Sequence, residues 1–589
     1  MHNLSKSLKP FTLQLIALVA LVYGQVATTL AIPDYMATII NKGIVGKNSS
    51  LIISTGGRML LVALFGAICM IGVGFLASRV ATGFARNIRA DVFRKVENFS
   101  LAEFDKFSTA SLITRSTNDI QQIQMVLVML LRLALMAPIM AVWAIIKAYN
   151  LAPSMTWIMA LAVATLLTII VTLFSIALPR FKKLQKTVDR LNLVTREILT
   201  GLRVIRAFNT DSYEEQKFDQ VNHELTDLNL FVNRLMVVLM PAMMLIMSFS
   251  SLAIIWVGAH EVNTGNLLIG NMIAFMQYSM QVIFAFLMLS IIFIMVPRAS
   301  VSLGRVAQVL DTEPQISDPE KPIKSKKAAQ GLIEFDNVSF SYPGAEAPAV
   351  KSLSFTALPG QTTAVVGSTG SGKSTLVNLI PRFYDTSSGS VKIDDVDIRD
   401  MNMEDLYKKI GYVPQKSVLF SGTVSSNIKY GAPDATPEQV TRAAKISQAT
   451  DFIKGLEGGY EAPIAQGGQN ISGGQKQRLA IARALVRDPE IYLFDDSFSA
   501  LDFKTDAKLR KALAAETKNK TILIVAQRIS TIMNADKIIV LNGGVIVGQG
   551  THAELLANCN VYKEIASSQL SDEELAMTAV PNKLERGVA

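Results

Sequence analysis

Val365-Val366-Gly367-Ser368-Thr369-Gly370-Ser371-Gly372-Lys373-Ser374-Thr375 decides the fold of the second half of this chain. The apolar residues 362–366 read as a strand, the glycines as a tight turn, and Lys373-Ser374-Thr375 as the opening of a helix. Glycine lets successive backbone N–H groups converge on phosphate oxygens, and a helix N-terminus adds positive potential there. Gly367, Ser368, Thr369, Gly370, Ser371 and Gly372 are therefore a candidate phosphate cradle. Lys373 has the reach for β- and γ-phosphates, and the Ser374 hydroxyl, beside Thr375, can ligate Mg²⁺. A glycine-rich turn with an incidental Lys-Ser is the competing reading; the strand–loop–helix context argues against it. The motif implies a nucleoside triphosphate site.

Outward from this loop the chain divides. Its 589 residues are too many for one domain, and half are hydrophobic. Apolar segments of spanning length lie at about 12–31, 59–78, 133–149, 155–178, 236–258 and 272–296. The first lacks a small-x-small cleavage site and five more follow, so it reads as a retained span rather than a signal peptide. The net charge of +9 suggests nucleic acid at first sight, but the basic residues flank the apolar segments, where a membrane explains them. They fill residues 79–124 (Arg86, Arg89, Arg94, Lys95) and the connection between the fourth and fifth spans (Lys182, Lys183, Arg196, Arg203), while 259–271 holds neither Lys nor Arg. The positive-inside rule then places both long loops and both termini in the cytosol. Cys69 and Cys559 are far apart and suggest no disulfide framework, metal site or thiol catalyst.

Both basic loops keep helical apolar periodicity and read as extensions of the spans, each with one turn-like interruption, at 103–108 and 208–213. An aromatic-bearing short helix at either tip could dock on a partner surface; the alternative is a solvated hairpin tip. Arg132 can snorkel from the start of the third span. Gln277 and Gln281 share a face of the sixth and either line a polar cavity or bond between helices. Pro138 and Pro241 are candidate kinks. The methionines of the last two spans suit either an adaptable apolar pocket or lipid-facing filler.

Residues 313–327 have the composition of a linker, and from about 331 short β-rich and helical runs alternate as in an α/β domain. Tyr342, in the strand-like run 338–342, could stack an adenine or simply pack. Gln415 ends an apolar run and could reach Mg²⁺ or the attacking water. Ile491-Tyr492-Leu493-Phe494-Asp495 is a buried strand ending in a carboxylate suited to Mg²⁺. Ile471-Ser472-Gly473-Gly474-Gln475 opens a second glycine-rich helix N-terminus. One triphosphate does not need two cradles from one domain, which points to a head-to-tail dimer sharing them.

In this ordered set, with Ser499-Ala500-Leu501-Asp502, the chain resembles an ATP-binding cassette (ABC) exporter of the half-transporter type. The resemblance covers nearly the whole chain. It implies an α-helical membrane domain of six transmembrane helices with long cytosolic extensions (1–311), a linker (312–330), an α/β P-loop nucleotide-binding domain of ABC type (331–570) and a loose tail (571–589). It further implies that Tyr342 stacks adenine, Lys373, Ser374 and Thr375 hold phosphate and Mg²⁺, and Gln415 senses the γ-phosphate. Ser472, Gly473, Gly474 and Gln475 would act in trans, Asp495 would organise Mg²⁺, and Ser499 to Asp502 would link the two sites. The run 195–208 resembles the family's second intracellular loop, which turns the hairpin tips into candidate coupling helices.

Two positions depart from the pattern. The general base after Asp495, normally glutamate, is Asp496, and a histidine that contacts the γ-phosphate is replaced by Gln527. A carboxylate one methylene short loses reach, and a displacement of roughly 1 Å can cost on the order of 10²-fold in rate. Glutamine donates a hydrogen bond but carries neither charge nor a relayed proton. The chain thus resembles the degenerate-site subunit of bacterial heterodimeric multidrug exporters, binding ATP and Mg²⁺ but hydrolysing poorly. A second half-transporter chain is the expected partner, favoured over a homodimer, with a small amphiphilic cargo and the cytoplasmic membrane as location. An autonomous homodimeric exporter of lipid or peptide, and a non-transporting ATP-binding subunit, are the alternatives.

Overall fold

The computed structural model describes residues 7–324, 330–571 and 573–575. Most of the expected tail and part of the expected linker lie outside them. Two compact units result: Met1–Glu97 with Thr109–Glu313, and Asn98–Ser108 with Pro314–Ala589. The segment Asn98–Ser108, expected within the first domain, packs with the second.

In the first unit, Lys9–Ile44, Ser49–Glu97, Thr109–Leu151, Pro153–Phe208, Asp211–Asn263 and Ile269–Asp311 are each long and apolar enough to cross a membrane. The chain is a multi-pass membrane protein. At 1.5 Å per residue the helix Thr156–Phe208 is about 80 Å long, against a hydrocarbon layer of ~30 Å, so most of it extends beyond the bilayer. The two hairpin tips differ. Helix α1 (Leu101–Phe107) forms at the first, closed by a capping box of Ser100 and Glu103. At the second, the expected short helix is absent: Asn209 turns left-handed after Phe208, and the next helix starts at Asp211.

The prolines act unequally. Pro138 lies inside Leu135–Leu151, which follows directly on a π-helical turn, Leu130–Ala134, that contains Arg132. Pro241 interrupts the helical ladder at Val238, between Asp211–Val237 and Leu239–Asn263, while Val238 keeps helical dihedrals (φ −62°, ψ −26°). Pro297 interrupts nothing in Ile269–Asp311.

Polar groups inside the bundle are paired in two places the sequence pattern did not reveal. Asp34 accepts from the Tyr278 hydroxyl (2.5 Å) and pairs with Lys147 (2.6 Å), tying three spans together. Asp119, 3% exposed, accepts from Arg305 Nε (2.7 Å) and the Ser302 hydroxyl (3.0 Å). The Gln281 amide oxygen is buried with no hydrogen-bond partner among the described residues. Met244, Met247 and Met280 line, with Ser248, Ser251, Leu252 and Ile255, a cleft of about 490 Å³.

The second unit carries two sheets. β1 (Ile333–Phe340), β2 (Val350–Ala357) and β4 (Ser388–Ile393) form an antiparallel sheet in the order β2-β1-β4, extended by Val396–Asp397. The larger sheet combines β3 (Thr362–Gly367), β5 (Ile410–Val413), β6 (Ile491–Asp495), β7 (Thr521–Val525), β8 (Lys537–Asn542) and β9 (Val545–Gly550) in the order β9-β8-β3-β7-β6-β5. β8, β3, β7, β6 and β5 are mutually parallel. Continuous apolar runs dictate this: every residue of β6 and β7 is buried, as a sheet covered on both faces requires.

Candidate functional site

Parallel strands deliver their C-terminal ends to one edge of the sheet, where α/β folds place ligands. β3 runs into Ser368 and then α2 (Lys373–Leu379); β6 ends on Asp495 and is followed by Asp496; β7 is followed by Gln527 and β5 by Gln415. Residues distant in sequence meet because four neighbouring strands end side by side.

The loop between β3 and α2 has the conformation its glycines allow. Gly372 caps α2 at φ 94°, and a Cβ there would approach the Ala349 carbonyl at 2.7 Å. Lys373 is 9% exposed and donates to the carbonyls of Gly367 (2.9 Å) and Ser368 (2.7 Å). Burial lowers its ammonium pKa, opposed by Asp496 and Asp495. The Ser371 hydroxyl is buried with no partner among the described residues. A loop with an orphaned hydroxyl and a buried ammonium turned onto its own carbonyls is short of an anion.

Beside it the Ser374 hydroxyl donates to Asp495 Oδ1 at 3.1 Å. Asp495 is 4% exposed, and burial pushes its pKa up. Its buried carboxylate and the Ser374 hydroxyl are oxygen donors of the kind that fits Mg²⁺, whereas the Gln415 amide nitrogen donates to Asp496. Asp496 sits at φ 46°, its N–H bonded to the Val525 carbonyl (2.9 Å). Its Oδ2 accepts from Gln415 Nε2 (3.3 Å) and Gln527 Nε2 (3.2 Å). Burial raises this carboxyl too, against the Gln415 hydrogen bond.

Tyr342 lies beyond the end of β1, not within a strand as its run suggested. Its hydroxyl pairs with Thr375 Oγ1 (3.0 Å), and its half-buried ring meets Phe340 edge-on (4.9 Å). Thr375 is thereby occupied by Tyr342. The second cradle opens α3 (Gly473–Leu485): the Ser472 hydroxyl caps Gln475 N, and Gln475 Oε1 accepts from Ser472 N (2.9 Å). A Cβ on Gly473 would meet nothing within 4 Å, whereas one on Gly474 would stand 3.0 Å from the Ala500 carbonyl. Among the described residues, no hydrogen bond of Ser472 to Gln475 runs to the phosphate loop. The cradle is tied to the segment after β6 by Gln477, whose Oε1 accepts from Ala500 N (3.2 Å). That segment is held to the site by Ser499, bonded to the Asp496 carbonyl (2.9 Å), and Asp502 caps α4 (Phe503–Glu516). Sequence reasoning missed Tyr384: its hydroxyl donates to Asp105 (2.9 Å), and its ring touches both Phe340 and Tyr342.

Comparison with known proteins agrees with this architecture. The profile of the ABC transporter transmembrane region matches residues 15–286, and that of the ABC transporter domain residues 350–499. An uncharacterised ABC transporter ATP-binding protein of Mycobacterium tuberculosis is 40% identical over 569 residues, covering 96% of this chain and 97% of its own. An ATP-dependent lipid A-core flippase of Haemophilus ducreyi is 32% identical over 508 residues, covering 85% of each chain. A solved bacterial Atm1-family ABC exporter with ATP bound superimposes with a TM-score of 0.80 at 26% identity, covering 95% of this chain and 99% of its own. Six apolar helices joined to a sheet that ends in a phosphate loop, and matched along nearly their whole length, place this chain in the ABC transporter family, as a half-transporter of the exporter type.

Proposed function

We propose that this chain is the degenerate-site half of a heterodimeric ABC exporter, holding ATP and Mg²⁺ on its own phosphate loop while completing a competent site on its partner. The observation that carries the reading is the state of Asp496. Both Oδ2 contacts come from amide donors, at 3.3 Å and 3.2 Å. A carboxylate that is one methylene short and already accepting from two amides is poorly placed to take a proton from an attacking water. Gln527, neutral, adds no charge to a γ-phosphate. Mg²⁺ would neutralise the charge of the triphosphate, held by Ser374, Asp495 and Gln415. Lys373 would leave the loop carbonyls for phosphate oxygens. Binding is thus supported while the proton transfer is not.

The outward-facing Gly473 and the capped Ser472 leave the second cradle available for a triphosphate held by another chain. ABC exporters work as dimers, and this arrangement supports sharing in trans. The Met-lined cleft supports an amphiphilic cargo, because flexible thioethers adapt to varied apolar shapes. The lipid A-core flippases among the relatives act on an amphiphile of that broad class. The loop charges support the cytoplasmic membrane as the location, with both termini and the ATP site in the cytosol. ATP turnover of the purified chain, alone and with its partner, tests the reading: turnover confined to the pair supports it, and full turnover by the chain alone refutes it. Uptake of a fluorescent amphiphile into vesicles holding both chains tests transport.

A further inference from the structure

The turn that carries Gln527 is shaped by a residue 42 positions further on. β7 stops at Val525, and a four-residue helix, α5 (Ile529–Ile532), begins at Ile529. Arg528 between Gln527 and Ile529 is extended, at φ −92° and ψ 126°, so the Gln527 carbonyl and the Ile529 N–H point to the same edge of the chain. Arg528 is also the N-cap of α5 and gives it no side-chain hydrogen bond. The N–H of Ile529, a fully buried residue in the first position of the helix, therefore needs a partner from elsewhere.

Gln569 supplies it. Its Oε1 accepts from Ile529 N at 2.8 Å, and its Nε2 donates to the Gln527 carbonyl at 2.8 Å. A primary amide holds a donor and an acceptor side by side, the pair that a neighbouring strand would present to this edge. Gln569 is itself well anchored. It lies two residues beyond α6 (Asn560–Ser567), whose Tyr562 and Ala566 are fully buried in the core that also contains Ile529 and Ile532. Its own N–H bonds to the Ala566 carbonyl (3.0 Å). The flanking residues are tied elsewhere: Arg528 Nη2 donates to the Ser499 carbonyl (3.1 Å) and Arg510 Nη1 to that of Ser530 (2.9 Å). Gln569 bonds Gln527 itself, on its main chain, while the Gln527 side chain is turned toward Asp496 Oδ2 (3.2 Å).

We propose that Gln569 is a positioning residue of the ATP site, which fixes the main chain of Gln527 so that the Gln527 amide stays at the Asp496 carboxylate and faces a bound γ-phosphate. This rests on reading Gln527 as a γ-phosphate contact. Without Gln569 the Gln527 peptide and the Ile529 N–H lose their shared partner, and the turn gains orientations that carry the amide away from the site. A nucleotide with a γ-phosphate then binds less well, whereas one without it is indifferent to the turn.

Binding of the non-hydrolysable β,γ-imido analogue of ATP and of ADP, each with Mg²⁺, to the full-length protein in lipid nanodiscs tests the role. Gln569→Met keeps the length of an exposed side chain and removes both hydrogen bonds. It should weaken the triphosphate analogue by about threefold to tenfold, the range of a net hydrogen bond, and leave ADP within about twofold. General damage to the domain would weaken both alike. In a double-mutant cycle, Gln569→Met should have no further effect once Gln527→Ala is present, because its action passes through Gln527. Unchanged analogue affinity in Gln569→Met, equal losses for the analogue and ADP, or additive losses in the double variant overturn the positioning role. Gln527→Ala separates the two readings. If it lowers the preference for the analogue over ADP and Gln569→Met does not, the positioning role alone is overturned; if it leaves that preference unaltered, the γ-phosphate reading is overturned and the positioning role with it.

Discussion

The double substitution Asp496→Glu, Gln527→His changes the two groups that meet at one carboxylate oxygen. Glutamate carries its carboxylate one C–C bond further, about 1.5 Å. The native Oδ2 lies 3.3 Å from Gln415 Nε2 and 3.2 Å from Gln527 Nε2, so the change also removes one of its two amide donors. A mispositioning of about 1 Å costs on the order of 10²-fold, and a well-placed general base contributes about 10²–10⁴-fold. The lower figure corresponds to about 2.7 kcal/mol of barrier. Turnover of the purified chain in lipid vesicles, followed by phosphate release at saturating ATP, should therefore rise by about 10²-fold. The equilibrium affinity for ATP should stay within about threefold, because Lys373, Ser374 and Asp495 are untouched. Equal turnover by the native chain and the double variant would refute the reasoning, since Asp496 and Gln527 would then not limit the proton transfer.

Lys373→Ala should remove the thermal stabilisation by ATP, which at a ligand concentration 100 times Kd is worth about 2.7 kcal/mol; differential scanning fluorimetry with graded ATP checks it. Asp495→Asn should raise the stability of the nucleotide-free protein at neutral pH and abolish the gain from Mg²⁺ with ATP. The sign follows from the raised pKa: a buried carboxyl protonates more readily folded than unfolded, so its ionised form costs stability above the folded pKa. That cost fades as pH falls through the raised value toward 3.8, and the Tm advantage of the variant should shrink over the same window. Gly474→Val should leave this chain's own ATP binding intact but cut turnover of the complex by about 10²-fold, as loss of one transition-state donor does. Its Cβ would stand 3.0 Å from the Ala500 carbonyl, displacing the cradle. Asp119→Ala should lower the Tm in detergent, costing roughly 1–3 kcal/mol, because the guanidinium of Arg305 loses its acceptor.

Much of the candidate site was legible because its chemistry is local in sequence. The phosphate loop needs glycine, lysine and serine at set intervals along one turn, and the same holds for Ser472 to Gln475. Helical periodicity and the length of apolar runs likewise announced six spans, since a hydrocarbon layer of ~30 Å imposes a minimum length that sequence alone can display. The unbroken helix through Pro297 was not legible. A proline's effect depends on whether its neighbours can re-satisfy the freed carbonyl, which is a property of packing.

What the amino-acid sequence determined by itself is therefore the parts list: membrane spans, phosphate loop, Asp495 at the end of a buried strand, and the two departures at Asp496 and Gln527. Tertiary structure alone decided the pairings. The strand order β3-β7-β6-β5 brings Gln415, Asp496 and Gln527 onto one oxygen although 112 positions separate the outermost, Gln415 and Gln527 (527 − 415). It also seats Asp105 on Tyr384, 279 positions away. No periodicity encodes such contacts, because they arise from which strands and helices become neighbours, and only the packed chain sets that.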